Sequence, residues 1–282
     1  MSLVTRLKSK VGKASRMKKV THFRSLYREG TKVLDVGVSS ETEKGPPTRN
    51  YFLKNFAYDP KYYTGLGIQD LKGMERLFPG KRFVRYPGGR FPFADREFEW
   101  VFSNAVIEHV GGPKEQLAFI NEMLRVGRKV FFTTPNKYFP FESHTNAFLV
   151  HWNDALFHRW CDMTGRGRRK ENLRLLSRRS LEKLLQLSNA TSYVLKKDRF
   201  MGITMTITAI CTSDAVTATA TRDAQPAASR PPSSDASKIA SGTEESLEPE
   251  DSVTDFDASL RARAAPARNG DSRGHDRSTW RE

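Results

Sequence analysis

The stretch Phe91–Val110, FPFADREFEWVFSNAVIEHV, constrains this chain more than any other. A proline-fixed turn and the acidic loop Ala94-Asp95-Arg96-Glu97 lead into a short apolar run, Trp100-Val101-Phe102. That run stops at the small polar pair Ser103-Asn104. An apolar run without alternation reads as a strand buried on both faces, which is what a helix-covered parallel sheet requires. In such an open α/β sheet, ligands bind in the crevice beyond the carboxyl ends of the strands. Ser103, Asn104 and Ala105 suit the floor of that crevice, because bulky side chains would fill it.

The rest of residues 31–213 is punctuated in the same way. Strands are expected at Thr31–Val36, Tyr62–Ile68, Arg82–Tyr86, Glu99–Ser103 and Lys129–Thr133, most of them stopped by Gly or Pro. Helices are expected at Asn50–Phe56, Leu71–Phe78 and Gln116–Val126, the last entered near Pro113, where helices favour proline. Another spans Ser180–Leu187 and is opened by Ser177 as its cap. Strands alternating with helices predict a mostly parallel sheet. Val194–Asp198 and Ile203–Cys211, joined tightly at Met201-Gly202, predict a closing antiparallel pair. Ahead of the sheet, Leu3, Leu7 and Val11, and then Val20, Phe23 and Tyr27, recur at helical spacing among Lys and Arg, so residues 1–30 read as a basic helical segment.

Composition changes after Cys211. Residues 214–282 hold almost no large apolar side chains and cannot bury enough surface to offset their ordering entropy, so they are expected to be a disordered tail. The tail carries 9 Lys and Arg against 13 Asp and Glu, which leaves the first 213 residues with 38 against 19. A field of that sign attracts anions, whether nucleotide, phosphate-bearing substrate or acidic lipid. No base-reading motif or RNA-binding module accompanies it, so nucleic acid is not the expected partner. Cys161 and Cys211 form no paired-spacing motif and suggest neither a disulfide framework nor a zinc site. The expected compartment is the cytoplasm.

The fourth-strand segment resembles that of class I S-adenosylmethionine (SAM) methyltransferases, specifically the type 11 group with its pattern LPF…D.SFD.V.S..VIEHV. A second likeness follows the fifth strand, where TTPNKYFPFESHTNAF is similar to the group's TPNRWFP.E.HT. The resemblance runs from about Lys32 to His151. It implies a Rossmann-like, mostly parallel seven-stranded sheet with helices on both faces and an antiparallel final strand. It also implies SAM as cofactor. In VLDVGVSS, Asp35 and Gly37 match the end of the first strand and its glycine loop, with Ser39 at a later loop position. Gln69, or Asp70 beside it, falls where the family holds the ribose, and Pro87 stands in the adenine-facing loop. Ser103, Asn104 and Ala105 would line the methionine side, with Glu108 and His109 on the helix turn beyond and His109 counted among the cofactor-binding residues.

On the substrate side, His144 is the candidate catalytic group, with Glu142 near it and Phe139, Phe141 and Trp152 as stacking surface. His144, His151 and His158 are spaced by seven, with Asp154 among them, but the set straddles a loop–helix boundary and no metal is expected. The run Arg166–Lys170 reads as a solvated loop or an anion clamp. The expected activity is methyl transfer from SAM to a small-molecule or carbohydrate-type acceptor. The alternative is a methyltransferase-fold binding or scaffold protein without strong activity. The basic N-terminal segment adds an anionic membrane surface as a further candidate partner.

Overall fold

A computed structural model describes residues 3–42, 49–142, 144–165 and 173–213. The 214–282 tail and the Arg166–Lys170 run lie outside the described residues. One seven-stranded sheet organises the rest, in the order β3-β2-β1-β4-β5-β7-β6. Its strands are β1 (Val33–Val36), β2 (Tyr63–Gly67), β3 (Arg82–Arg85), β4 (Phe98–Asn104), β5 (Gly127–Pro135), β6 (Ser192–Phe200) and β7 (Ile203–Thr212). The first five run parallel, whereas β7 is antiparallel to both β5 and β6. This is the sheet that the resemblance implied. No described helix is long and apolar enough to cross a membrane.

Chain direction reverses at the centre. From β1 the chain moves outward to β2 on one side, and from β4 it moves outward to β5 on the other. Right-handed crossovers therefore put the two sets of helices on opposite faces. Helix α4 (Pro113–Val126) covers β4 and β5 with Phe119, Ile120, Met123 and Leu124, and α6 (Arg178–Leu187) packs beside it. Ser177 caps α6 through a reciprocal bond with Ser180. Helices α2 (Tyr51–Lys54) and α3 (Met74–Leu77) are shorter than their sequence spans. Helix α5 (Asp154–Met163), capped by Asn153, forms in the long insertion before α6.

The basic segment forms one helix, α1 (Leu3–Leu26). Its Phe23 is fully buried and meets Phe52, Trp100, Phe102 and Phe131 edge-on at centroid distances of 5.1–5.6 Å. Side chains alternate along a strand, so Trp100 and Phe102 share the face that α1 covers. The helix is part of the principal core, together with Val20 and Tyr27. The turn that opens the 91–110 segment is fixed from the other face. Arg125 donates to the Phe91 and Phe93 carbonyls at 2.9 Å and pairs with Glu122 and Asp95 at 2.7 Å.

Candidate functional site

The reversal between β1 and β4 is where a doubly wound sheet opens a ligand crevice. Two glycines show how closely the loops approach there. Gly37 has φ +100°, and a Cβ on it would lie 2.3 Å from Val106 Cγ2, so the loops that follow β1 and β4 touch. A Cβ on Gly67 would lie 2.0 Å from the Val38 carbonyl, which folds back over the end of β2. Only glycine, lacking Cβ, fits such positions. Beyond them the β1 loop is tied down. Asn50 accepts from Ser39 N at 3.0 Å and donates to the Ser39 carbonyl at 2.8 Å.

Gln69 joins this loop directly: its Oε1 accepts from Ser40 N at 2.9 Å and from Ser40 Oγ at 3.3 Å. Asp70 instead accepts from Lys72 N at 3.0 Å, closing an exposed turn. Between β2 and that turn, Ile68 stands 63% exposed and offers an apolar surface at the sheet edge. Asp35 points away from the edge. Its carboxylate is buried and accepts from Tyr63 Oη at 2.5 Å. Burial pushes its pKa up to about 7, against the smaller pull of the Tyr63 bond and the Lys81 charge. The structure thus brings Gly37, Ser39 and Gln69 into one loop assembly and leaves Asp35 in the interior.

At the end of β4, Ser103 Oγ donates to the Val36 carbonyl at 3.3 Å, holding β4 against β1. Asn104 Oδ1 accepts from Thr133 Oγ1 at 2.8 Å and from Lys19 Nζ at 3.2 Å. Ala105 adopts φ +58° and donates its N–H to the Thr133 carbonyl at 2.9 Å. A left-handed non-glycine residue is a conformation held by its surroundings, of a kind that collects at functional sites. Lys19 is the residue that sequence reasoning missed. In the sequence it is one of several lysines of the basic helical segment, yet only 7% of it is exposed. Desolvation lowers its pKa to about 8, despite the nearby charges of Asp198 and Glu108. Its neighbour Lys18 is exposed, and nothing in the local sequence tells the two apart.

Past Ala105 the chain makes one 3-10 turn, Ile107–His109. It carries Glu108 inward, fully buried, and His109 outward. Glu108 Oε2 accepts from Thr134 Oγ1 at 3.2 Å, while its Oε1 is buried without a hydrogen-bond partner. Burial raises its pKa, opposed by His109, His144 and Thr134. His144 arrives from the loop after β5, its Nε2 3.3 Å from His109 Nε2 and the rings nearly perpendicular. On its other side, His144 Nδ1 lies 2.6 Å from Glu142 Oε1. Glu142 also accepts from His144 N, Thr145 N and Thr145 Oγ1 at 2.8, 2.6 and 2.5 Å. Its burial would raise the pKa, but these bonds outweigh it and hold the carboxyl down at about 2.

The evenly spaced histidines do not assemble. His151 is buried with Nε2 2.8 Å from the Phe139 carbonyl, and Asp154 pairs with Lys137 at 3.1 Å. His144 meets His109 instead, across 35 residues. The signals available in the sequence were Glu-His in the β4 segment and Glu-Ser-His after β5, and no spacing rule connects them.

No family model matches the chain. Over 53 residues it is 36% identical to two uncharacterized proteins of Mycobacterium tuberculosis, a match covering 19% of this chain and 18% of theirs. The matched stretch is thus less than a fifth of those relatives' length. Among solved structures, it is similar to a Thermotoga maritima SAM-dependent methyltransferase described as a possible histamine N-methyltransferase. The TM-score is 0.46 and the identity 13%, covering 75% of this chain and 96% of that one. The Synechocystis magnesium protoporphyrin IX methyltransferase aligns at TM-score 0.47 and 12% identity, over 76% and 89% of the two chains. The Burkholderia thailandensis 1,6-didemethyltoxoflavin-N1-methyltransferase aligns at 0.47 and 14%, over 71% and 79%.

Proposed function

We propose that this chain is a methyltransferase that binds SAM across the carboxyl ends of β1, β2 and β4. The observation that carries the reading is the meeting of the β1 and β4 loops at Gly37 and Val106, at the point where the sheet reverses. Ser39 and Gln69 form one wall, the exposed face of Ile68 suits a nucleobase, and Ser103, Asn104 and Ala105 form the floor. Lys19, bonded there to the neutral Asn104 amide, supplies a cation for the carboxylate of an amino-acid end.

The acceptor belongs over the ends of β4 and β5, beside His109 and His144, and we assign it to the small-molecule or carbohydrate class. SAM held there would supply an activated methyl to the acceptor nucleophile and would leave as S-adenosylhomocysteine, the nucleophile's proton passing to solvent. Such an in-line displacement depends chiefly on holding the two reactants in line. Calorimetry on the full chain tests the reading: one molecule of SAM, and one of S-adenosylhomocysteine in competition, are expected to bind. Failure of both ligands to bind would remove it.

One observation favours a second reading, a non-catalytic binding module. Gln69, at the ribose position, already spends its amide oxygen on Ser40. The same calorimetry separates the two.

A further inference from the structure

Glu108, His109 and His144 bring three ligand atoms within 4.8 Å of one another. Two come from the turn after β4 and one from the loop after β5, so folding alone assembles the set. We infer that these three side chains form a binding site for a divalent transition metal ion, with Glu142 as its outer-shell support.

Three independent features point there. The first is spacing. Metal–imidazole bonds of roughly 2.0–2.1 Å at a tetrahedral angle separate the two nitrogens by roughly 3.3–3.4 Å. His109 Nε2 and His144 Nε2 are 3.3 Å apart. The second is Glu108, which is fully buried, has Oε1 without a hydrogen-bond partner, and sits against both imidazoles. A buried carboxylate oxygen without a donor is costly unless something fills the vacancy. Its separation from the nitrogens is at most 4.8 Å, so to become a ligand it must close by no more than about 1.5 Å, given the bond lengths of such sites. The third is Glu142. A carboxylate on one ring nitrogen directs the other toward a metal and raises its basicity. Glu142 Oε1 holds His144 Nδ1 at 2.6 Å and is itself fixed by Thr145, so the imidazole keeps its proton on Nδ1 and turns its Nε2 lone pair toward His109 Nε2.

Two imidazoles and one carboxylate suit zinc, iron(II), cobalt or nickel better than magnesium or calcium, which prefer oxygen. Three protein ligands leave a position open, as catalytic rather than structural sites do. That position lies beside the acceptor region, and an acceptor bearing a hydroxyl or phenolate oxygen fits it. Only this last step rests on the methyltransferase reading; metal uptake does not.

The test is cobalt(II) titration of the chelator-treated full chain, followed by visible absorption and X-ray absorption spectroscopy. One cobalt per chain is expected, with at least two imidazole ligands, displaceable by zinc. His109→Ala and His144→Ala should each weaken uptake at least tenfold. Glu142→Gln should weaken it about tenfold without abolishing it, in line with other outer-shell losses. His158→Ala should change nothing. Absence of stoichiometric uptake, fewer than two imidazoles in the wild-type spectrum, or uptake unaltered in both histidine variants would overturn the site. The wild-type spectrum decides even where a variant fails to fold. SAM calorimetry on the same samples keeps the questions apart: metal without SAM removes the methyltransferase reading and leaves the site standing.

Discussion

Lys19 Nζ, on α1, donates to Asn104 Oδ1 at the end of β4 over 3.2 Å, although 85 residues separate them in the chain. The same oxygen accepts from Thr133 of β5 at 2.8 Å, so one amide joins the N-terminal helix to two central strands. Lys19→Met keeps the length of the side chain and removes a buried charge. We expect SAM affinity to drop about tenfold, the scale of one charge-assisted bond, with no loss of thermal stability, because desolvation of the ammonium is relieved. Calorimetry and a thermal melt check this; unchanged affinity with a lowered Tm would make Lys19 purely structural.

Asp35 should make stability depend on pH. Its pKa is raised to about 7 in the folded protein, against an ordinary value of 3.8. Below about pH 4 it is protonated in both states and costs nothing. Between about pH 4 and 7 the unfolded chain releases this proton and the folded one keeps it, so stability falls as pH rises. The loss approaches ~4 kcal/mol at most, at about 1.4 kcal/mol per pKa unit. Asp35→Asn can still accept from Tyr63 and has no proton of this kind to release. It should raise Tm more at pH 8 than at pH 5; an equal change at both would show that Asp35 titrates normally.

Phe23→Ala removes the ring at the centre of the aromatic cluster. A loss of about 3–5 kcal/mol is expected, the scale for a fully buried phenylalanine. Urea denaturation measures it. A loss under about 1 kcal/mol would mean that α1 is an accessory to the core.

Gln69 and Asp70 should separate by position. Sequence reasoning favours Asp70 as the ribose holder, since it carries the charge. The geometry reverses the expected ranking, because Gln69 holds Ser40 while Asp70 closes an exposed turn that asparagine closes equally well. Gln69→Ala should therefore weaken SAM binding several-fold and Asp70→Asn hardly at all. The opposite order in calorimetry would return Asp70 to the site.

The fold was legible wherever the signal was local. The apolar run Trp100-Val101-Phe102, the Ser177 cap and the Met201-Gly202 connection each impose a structure on their own few residues, and β4, α6 and the β6–β7 pair formed accordingly. Alternation of strands and helices then restricts the sheet to a handful of topologies. The site was legible only in part. Gly37, Ser103, Asn104 and Ala105 lie at strand ends, and a strand end is readable in sequence. Three matters were settled only by tertiary structure. The docking angle of α1 buries Lys19 and leaves the adjacent Lys18 in water. The packing of β1 beside β2 turns Asp35 to Tyr63 rather than to the crevice. The loops after β4 and β5 bring His109 to His144. Each depends on how two distant segments lie against each other, and a periodicity of 2.0 or 3.6 residues specifies only what each segment does alone.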